Sequence, residues 1–236
     1  MTSPASTGPL SAGDAAARRS TLPGGSDPVS ERVSVEQDGA AAARAALERT
    51  IGTGGVALFP ADGLYGLACD PLRADAIARI HEIKGRDDGK PSAVMYLTPL
   101  LMRELVPAMG DRTRAAAAAL LPGPVTLVIA NPERRYPLAC RADPERLGVR
   151  LIGGPLAGAN VAMLQTSANR SGEPAPASFD AVPAAIVAAA DLAIDGGVLT
   201  GLPSTVIDLT AIERGGGWTV VREGALPAAA VAAALA

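Results

Sequence analysis

Two short segments carry side chains suited to holding a phosphorylated nucleotide. Lys84-Gly85-Arg86 sets two cations around a glycine, and Lys90 adds a third on the following loop. Thr166-Ser167-Ala168-Asn169 sets hydroxyls and an amide on a tight loop after the apolar run Val161-Ala162-Met163-Leu164. Arginine forks and lysine point charges both suit phosphate. Short polar donors at the C-terminal end of a strand lie where ligands bind in α/β sheets. Each segment also has a plain structural reading. Lys84 and Gly85 make a helix C-terminus, with a cation on the negative end of the dipole and glycine in the left-handed cap. Gln165–Gly172 makes a polar loop after a strand. Asp87 and Asp88 offset part of the positive charge.

Other segments share this double character. Pro122-Gly123-Pro124-Val125-Thr126 reads as a helix stop followed by a strand start, with Thr126 as a polar group on the new strand. Pro203-Ser204-Thr205-Val206 reads as a turn into a strand. Arg222-Glu223-Gly224 reads as a strand end with an exposed ion pair, worth little by itself.

Composition narrows the chemistry. With one histidine, His81, the chain has no His-rich metal site, and any Ser-His-Asp triad must use that residue. Cys69 and Cys140 lie far apart and form neither a metal-ligand spacing nor a disulfide framework. The net charge of −3 provides no global basic field for nucleic acid. No apolar run approaches the roughly 18–20 residues of a membrane span. Arg18-Arg19 is not followed by a hydrophobic stretch, so a cytoplasmic location is expected. The hydrophobic fraction is 48% with only 3% aromatic residues, so Ala, Val, Leu and Ile must fill the core.

The elements that position these groups follow from hydrophobic periodicity. Residues 1–30, rich in Ser, Pro, Gly, Ala and Thr, read as a disordered tail, and 31–236 as a single domain. The pattern predicts helices over 38–51, 74–84, 99–108, 111–121 and 178–190, with an Ala-rich one from about 226. It predicts strands over 56–59, 92–97, 125–130, 147–152, 161–165, 191–194, 204–209 and 218–222. Helices and strands mix without a regular βαβ rhythm, which favours an α/β or α+β domain on a twisted mixed sheet. There is no G-x-G-x-x-G turn and no Walker A loop.

Taken in order, the segments resemble a known family. The series runs Phe59-Pro60-Ala61-Asp62-Gly63-Leu64-Tyr65-Gly66-Leu67, Lys84-Gly85-Arg86, Leu121-Pro122-Gly123-Pro124-Val125-Thr126 and Gly148-Val149-Arg150. It continues through Thr166–Gly172 and Ser204-Thr205-Val206-Ile207-Asp208 to Arg222-Glu223-Gly224. Over about residues 45–225 it resembles the YrdC-like family, the threonylcarbamoyl-AMP synthases. The resemblance implies a twisted mixed sheet with surrounding helices and a deep basic cavity. It implies synthesis of threonylcarbamoyl-AMP and pyrophosphate from L-threonine, bicarbonate or CO₂, and ATP with Mg²⁺. A tRNA threonylcarbamoyl transfer complex would use the product to make N6-threonylcarbamoyladenosine. It implies Lys84, Arg86 and Lys90 at the ATP phosphates, with Lys84 and Arg86 catalytic. Thr126, Ser167, Asn169 and Arg222 would complete the nucleotide site, and Gly63, Arg150 and Ser204 the threonine end.

The chain departs from the family pattern at the amino-acid end. Ala61 and Gly63 stand where the first turn has threonines, and Met95 stands where some members have histidine. Leu151-Ile152-Gly153-Gly154 lacks the usual proline after Arg150. Two alternatives follow from these differences: a non-catalytic paralogue of the same fold that contacts tRNA or double-stranded RNA, and another acyl- or carbamoyl-adenylate enzyme.

Overall fold

The computed structural model describes Met1, residues 31–85 and residues 89–236. Arg86, predicted to meet phosphate, and residues 2–30 of the tail predicted over 1–30 lie outside the described residues. The architecture is α/β, with helices on both faces of one mixed ten-stranded sheet.

The strands are β1 (Glu31–Ser34), β2 (Ala57–Pro60), β3 (Tyr65–Cys69), β4 (Ala93–Tyr96) and β5 (Val125–Ala130). They continue as β6 (Arg146–Leu151), β7 (Ala162–Ser167), β8 (Leu192–Asp195), β9 (Thr205–Asp208) and β10 (Thr219–Arg222). Their order across the sheet is β1-β8-β2-β3-β7-β4-β6-β5-β9-β10. Pairs β1/β8, β8/β2, β4/β6 and β5/β9 are parallel, and the remaining neighbours antiparallel.

The helices are α1 (Gly39–Gly52), α2 (Ala74–Lys84), α3 (Pro99–Met102), α4 (Asp111–Leu120), α5 (Pro137–Cys140), α6 (Ala184–Ala189) and α7 (Ala228–Ala234). Helix α2 and strand β5 match their predicted ranges. The other predicted strands and the helices α1, α4 and α7 shift by a few residues or fewer. Two predicted helices are broken. Proline at 183 splits the 178–190 segment into a 3₁₀ turn (Phe179–Ala181) and α6. Over 99–108 only α3 is α-helical, and Arg103–Ala108 with Pro107 continues as 3₁₀. Strands β1 and β3 and helix α5 are additional to the prediction.

Strand alternation sorts the residues onto two faces. One face packs Leu58, Leu67, Val94, Leu127, Val149 and Leu164 into the larger core, with Ala76, Ile77 and Ile80 of α2. Helix α4 adds Ala116, Ala117 and Leu120, α6 adds Ile186, and α7 adds Val231. The opposite face has a smaller core, in which Ala43, Ala46, Leu47 and Ile51 of α1 cover Ala57, Phe59, Ala68, Met163, Leu192 and Ile194. Helix α1 reaches only that half of the face. Strands β5, β6 and β9 keep their other alternate residues free for a cavity.

Local chemistry fixes the element ends. Gly85 closes α2 with φ 81°, its amide donating to the Glu82 carbonyl, so the capping role read from the sequence is present. Glu213 accepts from the Thr113 amide at 2.7 Å and its hydroxyl at 2.8 Å, which satisfies the first turn of α4 from a distant loop. No helix among the described residues is long and apolar enough to cross a membrane.

Candidate active site

A cavity of about 440 Å³ opens on the half of the sheet that α1 leaves uncovered. Alternation builds its floor. On β6, Arg146, Gly148 and Arg150 face the cavity while Leu147, Val149 and Leu151 enter the core. On β5, Thr126 and Val128 face it, and Val125, Leu127 and Ile129 do not. Gln165 and Ser167 of β7 and Arg222 of β10 close the sides. The turn Ala61–Leu64 forms one wall and the strap Leu202–Ser204 another.

Two hydrogen-bonded groups occupy this floor. In the first, Arg150 is 6% exposed. One terminal nitrogen donates to Gln165 Oε1 at 2.8 Å and the other to Asp62 Oδ2 at 2.5 Å. Its Nε is buried and has no partner among the described residues. A buried donor without an acceptor costs about 1–3 kcal/mol, so this atom calls for a ligand oxygen. Burial lowers the Arg150 pKa, with Asp62 opposing and Arg222 adding to the fall. Burial also holds the Asp62 carboxyl above its ordinary value, against the pull of Arg150. In the second group, Thr126 and Ser204 share a hydroxyl–hydroxyl bond of 2.9 Å. Arg222 donates to the Ser204 carbonyl at 2.7 Å and to its hydroxyl at 3.1 Å. Gly224 permits this approach, because a Cβ there would lie 2.3 Å from the Pro203 carbonyl oxygen.

Charge is unevenly spent across the cavity. Arg150 is paired with Asp62, and Arg146 with Asp208 and Asp143. Among the described residues Arg222 bonds only to oxygens of Ser204, with no carboxylate partner. Burial lowers its pKa, although a guanidinium stays charged.

Six of the nominated residues line the cavity: Gly63, Thr126, Arg150, Ser167, Ser204 and Arg222. Lys84 and Asn169 stand behind it. Lys84 Nζ donates to the Ser167 and Asn169 carbonyls at 2.5 and 2.9 Å, tying the end of α2 to the loop after β7. Asn169 accepts from the Ser167 hydroxyl and donates to the Arg170 and Glu173 carbonyls at 2.9 and 2.6 Å. The pair read as a phosphate clamp is therefore also a loop brace. Lys90 is exposed on the rim, next to Pro91, which lines the cavity. Met95 is fully buried in the smaller core and does not line the cavity. At Gly63 the strap lies so close that a Cβ would be 2.1 Å from the Leu202 carbonyl oxygen.

Asp62, Gln165, Asp143 and Arg146 received no role from the sequence. The alternation around β6 signals Arg146. Asp62 and Gln165 become visible only through their contacts with Arg150, 88 and 15 residues away in sequence.

The fold and site define a class. The family model Sua5_yciO_yrdC, described as telomere recombination, matches residues 49–224. A relative from Thiobacillus denitrificans named threonylcarbamoyl-AMP synthase is 35% identical over 162 residues, 66% of this chain and 85% of its own length. The structure of P. abyssi Sua5 complexed with L-threonine matches with TM-score 0.74 at 26% identity, over 87% of this chain and 60% of that one. The chain thus spans less than two thirds of that protein. E. coli YciO matches with TM-score 0.68 at 25% identity, over 82% of this chain and 94% of its own. The chain belongs to the Sua5/YciO/YrdC family.

Proposed function

We propose that the chain makes threonylcarbamoyl-AMP and pyrophosphate from L-threonine, bicarbonate or CO₂, and ATP. The observation that carries this reading is the buried, unpartnered Nε of Arg150 on the cavity floor, held in a family whose relatives bear that activity as their name. Threonine offers the required oxygen in its carboxylate, and the P. abyssi relative was crystallised with that amino acid. Arg150 has committed both terminal nitrogens, so it presents Nε–H rather than a two-pronged fork.

The reaction suits a floor without histidine or cysteine. The threonine amine captures CO₂ to give a carbamate, and a carbamate oxygen attacks the α-phosphate of ATP. Positioning and charge stabilisation do most of this work. Ser204 and the backbone at Gly63 adjoin the amino-acid end with Arg150. Arg222, Thr126 and Ser167 serve the nucleotide, with Lys84, Arg86, Lys90 and Asn169 holding the phosphates and their loop. Among the described residues no three His, Cys, Asp or Glu side chains converge on a metal site. Mg²⁺ would arrive with ATP, carried mainly by the phosphate oxygens, and would screen their charge. The product would pass to a tRNA threonylcarbamoyl transfer complex in the cytoplasm. The RNA-binding alternative has less support, since the net charge is −3.

The test incubates the chain with ATP, Mg²⁺, bicarbonate and threonine, and follows pyrophosphate and threonylcarbamoyl-AMP by mass spectrometry. Pyrophosphate release independent of threonine would contradict the reading. Arg150→Met should raise the threonine KM about 100-fold, because it strands Asp62 and removes the donor, while ATP affinity by calorimetry changes little.

A further inference from the structure

The carboxylate of Asp62 remains unused by this account except as a tether. It lines the cavity beside Arg150, and its side chain is 19% exposed. Oδ2 meets Arg150, which leaves Oδ1 available to a ligand. An amino acid is a zwitterion with its ammonium one carbon from its carboxylate. A neutral pair with a spare N–H on Arg150 Nε and a spare carboxylate oxygen on Asp62 is complementary to both ends of that unit. The amine must nevertheless lose a proton before it attacks CO₂. An α-amine has a pKa of about 8 or higher, so near pH 7 nearly all of it is protonated.

We infer that Asp62 is the general base of carbamate formation: it receives the substrate ammonium and takes its proton as the nitrogen attacks CO₂. The inference rests on the synthase reading above. The ammonium proton passes to Asp62, and the freed nitrogen lone pair forms the N–C bond. One C=O π pair of CO₂ moves onto oxygen to give the carboxylate of the carbamate. The second proton on nitrogen leaves to solvent through the cavity mouth.

The groups facing Asp62 agree with this role. Arg150 is its direct partner, and the other charged residues lining the cavity are Arg146, Arg222 and Asp143. On its far side the turn faces a second cavity whose other lining, Pro122–Pro124, Gly153–Leu156, Gly196 and Leu199, carries no charged side chain. Burial keeps the carboxyl pKa above its usual value, which strengthens it as a base.

The test compares pH profiles of kcat/KM for threonine in wild type, Asp62→Asn, Asp62→Glu and Gln165→Leu, with saturating ATP and bicarbonate. The ratio of wild type to variant at each pH cancels changes in the CO₂–bicarbonate balance. Asparagine still accepts a bond from Arg150 but takes no proton, so that variant must use amine that is already neutral. Its deficit should be at least about 100-fold at pH 6.0 and shrink about 30-fold by pH 7.5. Asp62→Glu keeps a carboxylate and should keep the wild-type slope, which preserves the test if the Asn variant fails to fold. Gln165→Leu loosens Arg150 without removing the base, so its ratio to wild type should not vary with pH. A constant ratio for Asp62→Asn, or an Asn-like slope for Asp62→Glu, overturns the assignment and leaves Asp62 as a tether. A wild type without threonine-dependent pyrophosphate overturns the synthase reading, and the assignment falls with it.

Discussion

Gly63 provides a sharp physical test of how the cavity wall is built. Its φ lies outside the left-handed region, so backbone conformation does not require glycine. Contact does. A Cβ would lie 2.1 Å from the Leu202 carbonyl oxygen and 2.6 Å from Thr200 Oγ1. An ordinary carbon–oxygen contact is about 3.3 Å, so Gly63→Ala must push the strap away by about 1 Å. The strap resists, because the Gly201 amide donates to the Gly63 carbonyl at 2.9 Å and the Leu199 amide to the Ala177 carbonyl at 2.7 Å. Tyr65 adds a further hold, its hydroxyl bonding the Gly197 carbonyl at 2.8 Å and the Gly196 amide at 2.9 Å. Overpacking of this kind costs about 1–3 kcal/mol. For a chain of this size that lowers Tm by roughly 2–4 °C per kcal/mol, so roughly 2–12 °C in all. Thermal unfolding reads the loss, and hydrogen exchange at the Gly201 amide reads the strap directly. Adding Thr200→Gly should not restore stability, because the closer clash is with backbone. A Gly63→Ala chain with wild-type Tm and an equally protected Gly201 amide would refute the reasoning.

Two further predictions concern stability and reactivity. Asp191 accepts from Arg79 at 2.7 Å and from the amide of fully buried Val56 at 2.7 Å. Burial opposes its ionisation, but these bonds win and hold the carboxyl below its ordinary value. Asp191→Ala should cost about 2–3 kcal/mol in urea unfolding at pH 7. The folded pKa is depressed, so the gap between wild type and variant should narrow as pH falls below about 4, and a gap that widens there contradicts the assignment. Cys69 and Cys140 are buried, and burial raises both thiols, Cys69 to about 12. Neither should react with an aromatic disulfide at pH 8 in the native chain, and both should in guanidinium; labelling of native protein within minutes would contradict this burial.

The sequence exposed the elements whose periodicity is undiluted. In α2, apolar residues recur on one face and Gly85 marks the stop; in β6, charged or small residues alternate with Leu147, Val149 and Leu151. Strand β3 escaped because it is buried on both faces and has no alternation to read, with Gly66 as its second residue. Strand β1 escaped because Glu31 and Arg32 are exposed on a short edge. Helix α5 is four residues long and follows Tyr136, which has φ 53°. The candidate site was partly legible. The family resemblance nominated Arg150 and Ser204, but the bond between Thr126 and Ser204 joins residues 78 apart. That pairing depends on β5 and β9 lying side by side.

This adjacency also orders the cavity by charge. A polyanionic triphosphate needs cations that the protein has not already neutralised, whereas a zwitterion needs a donor and an acceptor with no net charge. In the proposed assignment Arg222 meets the first requirement, since among the described residues its bonds go to Ser204 oxygens and to no carboxylate. Arg150 with Asp62 meets the second. Arg222 lies close enough for its charge to weaken Arg150's hold on a proton, and among the described residues only Arg150 has a carboxylate partner. Moving the carboxylate from Arg150 to Arg222 would reverse the preference of both ends. In the proposed assignment, the order of substrates along the floor therefore follows from which arginine the turn at Asp62 can reach, and the closeness of the strap to Gly63 helps fix that turn.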